Sequence, residues 1–329
     1  MRNICTNTII ATPPTSNMSA IRSPIDSLPN ELLIAILSTF KSRELLPLTL
    51  VDRRFNATAT TVLQHRLLHT AKMEGHEMML ESYHPVARQS TPSMTCRFLG
   101  LSFLNHTWTG EQDMDLRDLS QLYSHFLPVV SEETRRMRRV FGRRLPGAPL
   151  EQEIGDEPVT QELVLDDGEL FSQLCTSASL IKSGPNPGLL ASHSNITNGV
   201  VRVWRHWLAK AAASSALCPT GGCTDESTIL WTDAAKNVGL RFRVTEVTQE
   251  RLPPYRGVDE DPPVAYSLYY EELLVRTSHV LLAMEKSAVQ EVVNSGFVMQ
   301  LNAKSAHAVE TVLMAPTLSP FLPQPVAVM

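Results

Sequence analysis

The 329-residue chain lacks a long apolar run, a regular set of cysteines and an excess of basic residues. No stretch of about eighteen apolar residues occurs, so the sequence predicts no membrane-spanning helix. Its five cysteines are odd in number and scattered, unlike the disulfide framework of a secreted protein. A formal net charge of −5 argues against nucleic-acid binding by the whole chain.

Signatures of catalysis and of repeat architectures are also missing. The sequence has no Gly-x-Ser-x-Gly elbow, no phosphate-binding glycine loop and no repeat with a period of about twenty to fifty residues. Cys175 and Cys218 have no local catalytic signature around them. Cys218 and Cys223 form the closest cysteine pair but lack the second pair that a zinc site requires. We therefore expect no catalytic residue, no metal and no cofactor.

The two ends of the chain show no periodic pattern. The segment MRNICTNTIIATPPTSNMS has one arginine and an apolar run too short for a signal peptide. We expect residues 1–20 to be a disordered lead-in, with translation starting at Met1 or Met18, and residues 313–329 to be a disordered tail. Without an export signal a reducing compartment is the default, so we expect a cytoplasmic or nuclear location.

The densest helical pattern runs from Ser27 to Leu68. Leu28-Pro29 opens it, because proline suits the first helical turn, where its missing N–H would have no partner. Glu31 places a negative charge near the positive end of the helix dipole. The next apolar residues recur at helical spacing and predict one wide apolar stripe: Leu32, Leu33, Ile36, Leu37 and Phe40.

Two more short helices are predicted to follow. Ser42 is positioned to cap the second helix, and Pro47 should begin the third, because proline breaks a helix interior. The charged residues 52–54 should face solvent. Three short helices cannot bury so many leucines among themselves. Periodicity leaves two interpretations equally open, a helical subdomain packed on the rest of the chain or a docking surface.

These residues closely resemble an F-box, whose order is met by Leu28-Pro29, Glu31-Leu32-Leu33, Ile36-Leu37, Leu45-Leu46-x-Leu48 and Val51-x-Arg53-x-Phe55. Asp52 stands where the family often has cysteine, and the tryptophan common near the end is absent. The resemblance implies docking onto the small adaptor of cullin–RING ubiquitin ligases. It assigns that docking to Leu28, Pro29, Leu32, Leu33, Ile36, Leu37, Leu45, Leu46, Leu48, Val51 and Phe55.

The sequence divides after this segment into a connecting region and a charged loop. We assign residues 21–72 to the F-box-like module and 73–134 to a connecting region with a helix near 113–127. Residues 135–160 join an arginine run to an acidic stretch and predict a surface loop. A solvated loop is favoured over a nucleic-acid contact or a nuclear import signal, because only one aromatic residue interrupts the arginine run.

Residues 161–312 predict a larger β-rich, sandwich-like domain with a few helices, which makes the fold class α+β. The clearest strands are 238–247 and 264–270, whose apolar and polar residues alternate, and we expect them to pair antiparallel. A strand near 94–104, kinked around Gly100, should belong to the same domain.

Other segments of this domain have weaker signals. Residues 184–188, Gly-Pro-Asn-Pro-Gly, predict a turn between two apolar runs. Residues 199–208 alternate like a strand but also fit a helix, and 209–222 predict a loop. For 273–284 we favour a strand that continues the preceding one past a bulge near Glu271-Glu272.

The stretches DDGELFSQLCT, GVVRVWRHWL and YEELLVRTSH resemble the C-terminal region of a group of fungal F-box proteins. This similarity implies a substrate receptor and assigns no chemical role to any residue. Aromatic side chains here could line a sugar or peptide pocket, although their positions favour core and cross-strand pairs. They are Trp204, Trp207, Trp231, Tyr266, Tyr269 and Tyr270.

The sequence therefore predicts a non-enzymatic substrate-recognition subunit of an SCF-type cullin–RING ubiquitin ligase. Its partners would be the ligase adaptor and cullin and an unidentified protein substrate, with no nucleic acid and no membrane. Two alternatives stay open. One is an F-box protein that acts outside a ligase, and the other is a small hydrolase in the C-terminal domain that uses Cys175 or Cys218.

Overall fold

A computed structural model of the chain describes residues 24–70, 72–87, 93–104, 114–131, 159–184, 189–217, 226–247, 263–293 and 299–300. The chain divides into two compact units, Met1–Val62 and Leu63–Met329. Helices and a large antiparallel sheet are both present, so the α+β class is confirmed. The expected lead-in, the charged loop up to residue 158 and the expected tail lie outside the described residues.

The first unit is helical. Helix α1 spans Asn30–Leu37, α2 spans Ser42–Leu48, and α3 spans Arg53–Thr70 and continues into the second unit. The prediction that the third helix begins at Pro47 is wrong, because Pro47 lies in the last turn of α2. At that place the missing N–H removes one hydrogen bond near the end of the helix and leaves the preceding turn intact.

Two carboxylates fix where α2 and α3 begin. The N–H of Lys41 donates to the Glu44 carboxylate at 2.8 Å, so Lys41 precedes α2 and Ser42 is its first residue rather than its cap. The N–H of Phe55 donates to the Asp52 carboxylate at 2.7 Å. Both bonds satisfy N–H groups near a helix start that would otherwise have no partner within the helix.

The second unit is built on one antiparallel sheet. Besides the end of α3, its described residues form the helices α4 (Leu116–Ser120), α5 (Arg205–Leu217) and α6 (Thr277–Val293). The strand order is β10-β6-β5-β1-β2-β3-β9-β8-β7, and β4 pairs with β9 outside this order. The strands are β1 (Glu77–Tyr83), β2 (Met94–Phe103), β3 (Leu122–Val130), β4 (Thr160–Leu165), β5 (Phe171–Ser183), β6 (Leu189–Trp204), β7 (Ile229–Trp231), β8 (Val238–Val247), β9 (Val264–Arg276) and β10 (Met299–Gln300).

This sheet is continuous, whereas the sequence analysis expected a sandwich-like arrangement. It is strongly curved, because β4, which is hydrogen-bonded to β9, also contacts β5. One buried cluster accordingly contains Leu80 of β1, Leu174 of β5 and Phe242 of β8. Right-handed twist allows a sheet of this size to enclose a core against itself. The alternation of buried and exposed residues is the same as in a sandwich, so the sequence pattern did not separate the two.

The predicted helix near 113–127 is wrong beyond Ser120. Only α4 is helical, and β3 follows it with buried residues on every second position, including Leu122, Phe126 and Val130. Leu122 and Phe126 are four residues apart, a spacing that fits both periods. Strand pairing with β2 and β9 on its two sides decides the structure.

Two further segments differ from their predictions by being helical. Residues 209–217, predicted to be a loop, belong to α5, whose alanines are strong helix formers and which buries Leu208 and Ala211. The segment 277–284, predicted to be a strand, belongs to α6, where Val280 and Ala283 are buried at helical spacing. The strand was predicted too long because the alternation of residue types continues past Arg276, where β9 ends.

Several strand predictions are confirmed. Strands β8 and β9 pair antiparallel from Val238 opposite Val275 to Val247 opposite Ala265, with a bulge at Glu271. The register of β2 shifts between Phe98 and Gly100, which is the predicted kink. Strands β5 and β6 form a hairpin, and residues 185–188 of the predicted turn lie outside the described residues.

Candidate functional site

The wide apolar stripe of α1 is buried on one half and exposed on the other. Leu33 and Leu37 are each 2% exposed, whereas Leu32 is 52% and Ile36 is 46% exposed. At about 100° per residue, these two pairs lie on adjacent faces of the helix. The exposed pair is therefore free of the packing that buries its neighbours.

The predicted docking residues divide in the same way. Five are exposed, namely Pro29, Leu32, Ile36, Leu46 and Val51. Three are half-buried, namely Leu28, Leu48 and Phe55, and three are buried, namely Leu33, Leu37 and Leu45. Ile25, Ile34, Phe40 and Leu50 are also exposed, although none of the four was among the predicted docking residues.

Arg54 holds the segment in front of α1, contrary to the expectation that it faces solvent. Its guanidinium donates to the carbonyl oxygen of Leu28 and, at 2.9 Å, to the side-chain oxygen of Asn30. Arg53 is exposed as predicted. Arg54 therefore fixes the position of Leu28 and Pro29 at the start of α1.

The aromatic residues of the second unit are mostly core and cross-strand partners, as favoured from the sequence. Trp204 lies opposite Phe171 on the neighbouring strand, with ring centres 5.2 Å apart. Phe242 packs edge-on against Tyr270 at 4.8 Å and against Trp207 at 6.5 Å. These contacts stabilise the sheet.

The cysteines give no site within the described chain. Cys175 lies on β5 and is half-buried, and Cys218 and Cys223 lie outside the described residues. Burial raises the pKa of the Cys96 thiol, which keeps it protonated and unreactive. Among the described residues, no group of three or more histidines, cysteines, aspartates or glutamates could hold a metal ion. No helix in the same ranges is long and apolar enough to cross a membrane.

A row of polar side chains crosses four neighbouring strands of the sheet. The Ser102 hydroxyl of β2 lies 2.7 Å from Nε2 of His125 on β3. Nδ1 of His125 lies 2.6 Å from one carboxylate oxygen of Glu272 on β9, and Arg241 of β8 donates to the other oxygen. We call Ser102, His125, Glu272 and Arg241 the polar row.

The strand register places the polar row on one face of the sheet. His125 lies opposite Gly100 and Leu274, and Arg241 lies opposite Glu272. Directly opposite residues and residues two apart share a face, so the row is on the side that His125 occupies. The next residue along β3, Phe126, belongs to the main core on the other side.

A small apolar cluster accompanies the row on the same face. Tyr123, Ile229 and Leu274 are buried together, and Leu104 and Trp231 pack against them. Trp231 and Ile229 lie so close over Gly239 that a Cβ there would stand 2.7 Å from an Ile229 methyl carbon. Gly239 is therefore required for this packing.

Glu272 is charged despite being mostly buried. Its burial raises the pKa of the carboxyl, but the hydrogen bond and charge of His125 and the charge of Arg241 outweigh this effect. The pKa of Glu272 is consequently below its usual range. A carboxylate that is ionised at neutral pH thus faces Nδ1 of His125.

No member of the polar row was predicted from the sequence to be a site residue. Ser102 and His125 are 23 residues apart, and His125 and Glu272 are 147 apart, so no local motif joins them. A weak sign of a site was present in the sequence, because His125, Glu272 and Arg241 lie inside predicted strands or helices rather than in loops. Only the strand order brings them together.

Comparison of the chain with models of protein families, with curated proteins and with solved structures finds no match. Its function is therefore inferred from its residues and their geometry.

Proposed function

We propose that the chain is a substrate-recognition subunit of an SCF-type cullin–RING ubiquitin ligase. The helical first unit docks onto the small adaptor of the ligase, and the β-rich second unit binds a protein substrate. The single observation that carries this proposal is the exposed half of the α1 stripe, which occurs in a segment whose residue order resembles an F-box.

The energetics of burial support docking at this surface. Leu32, Ile36 and Leu46 are each about half exposed, and Val51 is 60% exposed. Fully burying such a side chain is worth roughly 1.5–3 kcal/mol relative to leaving it exposed. Several exposed apolar residues in one small unit are typical of an interaction surface rather than of a finished core. A partner that covers these helices would bury the same side chains and gain this free energy.

The buried members of the F-box-like set have a supporting role in this proposal. Leu33, Leu37 and Leu45 are buried, so their side chains hold the helices that present Leu32, Ile36 and Leu46. Arg54 does the same for Leu28 and Pro29 through its hydrogen bonds. Docking residues on preorganised elements lose less conformational entropy when they bind.

The mechanism of ubiquitin transfer would be proximity. A receptor that holds a substrate beside a charged ubiquitin-conjugating enzyme raises the effective concentration of the acceptor lysine. This step requires no catalytic group in the receptor. The substrate would bind to the second unit, whose large sheet has its own core.

The test is a pull-down of the purified adaptor by the full-length chain carrying Leu32→Ala and Ile36→Ala. Each truncation at a central contact typically costs more than about 1 kcal/mol, and about 1.4 kcal/mol is a tenfold change in affinity. We therefore expect the double variant to bind at least tenfold more weakly, while its circular dichroism stays that of the unmodified chain.

The matched control is Val86→Ala with Val200→Ala, two exposed apolar residues of the second unit. This control should bind the adaptor normally. Full-strength binding by a folded Leu32→Ala, Ile36→Ala variant would refute the docking surface. Co-purification of the cullin with the unmodified chain distinguishes a ligase subunit from an F-box protein that acts outside a ligase.

A further inference from the structure

The polar row has the order of groups that activates a serine as a nucleophile. Such a system needs a hydroxyl hydrogen-bonded to a base, and a third group that orients the base. Ser102 lies 2.7 Å from Nε2 of His125, and Glu272 lies 2.6 Å from Nδ1. Both distances are within the range of about 2.6–3.2 Å expected for catalytic hydrogen bonds.

The hydrogen-bonding groups fix the tautomer of His125. A carboxylate only accepts hydrogen bonds, so the proton of a neutral imidazole must be on Nδ1, facing Glu272. Nε2 then has a free lone pair and accepts the Ser102 hydroxyl. The Phe103 carbonyl is a second acceptor for that hydroxyl, but it is more distant, at 3.2 Å. His125 is thus set up as a base toward Ser102.

Adjacent strands hold these groups rigidly and leave space beside them. Gly100 lies opposite His125 on the same face, and a Cβ added there would meet no heavy atom of the described residues within 4 Å. The Ser102 residue itself is half-buried, near the end of β2. An acyl group could therefore approach the hydroxyl over the open position at Gly100.

The neighbourhood of Ser102 combines apolar and charged groups. Tyr123 is directly opposite Ser102 in the register, and its ring centre is 5.8 Å from that of Trp231. Leu104 packs against the same cluster. Arg276 lies over the Tyr123 ring and Lys236 over the Trp231 ring, each 5.8 Å from the ring centre. The substrate class therefore follows from the serine nucleophile, which acylates at a carboxylic ester.

We propose that Ser102, His125 and Glu272 form a serine-nucleophile site that hydrolyses carboxylic esters, in addition to the docking function proposed for the first unit. The Ser102 oxygen bonds to the ester carbonyl carbon while its proton passes to Nε2 of His125. The bond from that carbon to the alcohol oxygen then breaks, and the alcohol leaves with the proton. Water, deprotonated by His125, releases the acid and restores the Ser102 hydroxyl.

Arg241 is a positioning residue in this site. It binds the oxygen of Glu272 that does not face His125, so the carboxylate is held between two strands. Glu272 in turn holds the His125 ring and stabilises the positive charge that develops on it. Neither residue needs to touch the ester.

The direct test uses the full-length chain and an alkyl fluorophosphonate. Ser102 would attack phosphorus, fluoride would leave, and the proton would pass to His125, which leaves a stable adduct on the peptide that contains Ser102. The matched control within the same molecule is Ser120, an exposed serine at the end of α4 whose hydroxyl donates to the Arg117 carbonyl. General-base assistance is worth about 100-fold or more, so labelling of Ser102 should exceed that of Ser120 by about this factor.

Two variants sharpen the result. His125→Gln keeps a polar side chain but cannot act as a base, and it should reduce labelling of Ser102 to the Ser120 rate. Glu272→Gln should slow labelling less and should alter its dependence on pH, because the charge beside His125 is removed. Hydrolysis of p-nitrophenyl butyrate should disappear in Ser102→Ala.

Absence of a Ser102 adduct on the unmodified folded chain would overturn the proposal. So would equal labelling of Ser102 and Ser120, or an unchanged rate in a His125→Gln variant that retains its melting temperature. Because none of these measurements uses the ligase adaptor, failure here leaves the docking proposal unaffected.

Discussion

The two units of this chain use their apolar residues differently. Eight of the sixteen large apolar side chains that are exposed in the described chain lie between Ile25 and Val51. The second unit, which is several times longer, contains the other eight and encloses a large core that includes Phe126 and Phe242. The small helical unit therefore leaves a larger share of its apolar side chains exposed, whereas the sheet encloses most of its own.

The largest effect is expected when a buried and an exposed leucine of the same helix are truncated separately. Leu45 is fully buried, and its neighbour Leu46 is 52% exposed. Removing a buried leucine side chain costs about 2–5 kcal/mol, so Leu45→Ala should greatly accelerate amide exchange in α1 and α2. Leu46→Ala should leave that exchange unchanged and weaken adaptor binding instead.

Faster exchange in Leu46→Ala together with weaker adaptor binding in Leu45→Ala alone would contradict the proposed division into interior and docking residues. Tryptophan fluorescence provides the internal reference, because all four tryptophans lie beyond Val62. Neither variant should change the fluorescence transition of the second unit. A shift of that transition by Leu45→Ala would show that the stability of the two units is coupled.

The loss of stability of the second unit at acid pH is the next property that should separate the two units. The folded state holds the pKa of Glu272 below its usual range. The ionised carboxylate therefore contributes stability above the unfolded pKa of about 4.3, and this contribution is lost as the pH falls below that value. Glu272→Gln should lower stability at neutral pH and reduce the further loss on acidification, as measured by tryptophan fluorescence in urea.

The control for this measurement is Glu162→Gln, because Glu162 is exposed on β4. It should keep the acid dependence of the unmodified chain. Identical acid dependence in Glu272→Gln and the unmodified chain would show that the contacts with His125 and Arg241 do not stabilise the fold.

The sequence predicted local features well and long-range ones poorly. The two strands at 238–247 and 264–270, the bulge at Glu271 and the helical start of the F-box-like segment follow from patterns within a few residues. The antiparallel pairing of the two strands follows from their succession along the chain. The strand over Leu122–Val130 could not be separated from a helix, because Leu122 and Phe126 fit both periods. The curvature of the sheet and the polar row depend on the order of the strands, which no local pattern contains.

The residues proposed for docking also show what the sequence pattern leaves undecided. Helical spacing identified the stripe of α1, but it could not say that Leu33 is buried and Leu32 exposed, because both positions are equally apolar. That division depends on which neighbouring helix covers which side. The same reason explains why Arg54 was expected in solvent although it binds the Leu28 carbonyl.

The smallest effect concerns Asp52, which stands where the F-box family often has cysteine. Its carboxylate accepts the N–H of Phe55 at 2.7 Å and so caps α3. Losing such a cap costs about 1 kcal/mol, and cysteine accepts hydrogen bonds only weakly. Asp52→Cys should therefore raise amide exchange at the start of α3 about fivefold, since about 1.4 kcal/mol corresponds to a factor of ten.

Asp52→Asn keeps the acceptor and should change little, as should Arg53→Ala at the exposed next position. If Asp52→Cys exchanged as slowly as Asp52→Asn, the cap would be dispensable, and the start of α3 would be fixed by packing of its apolar residues.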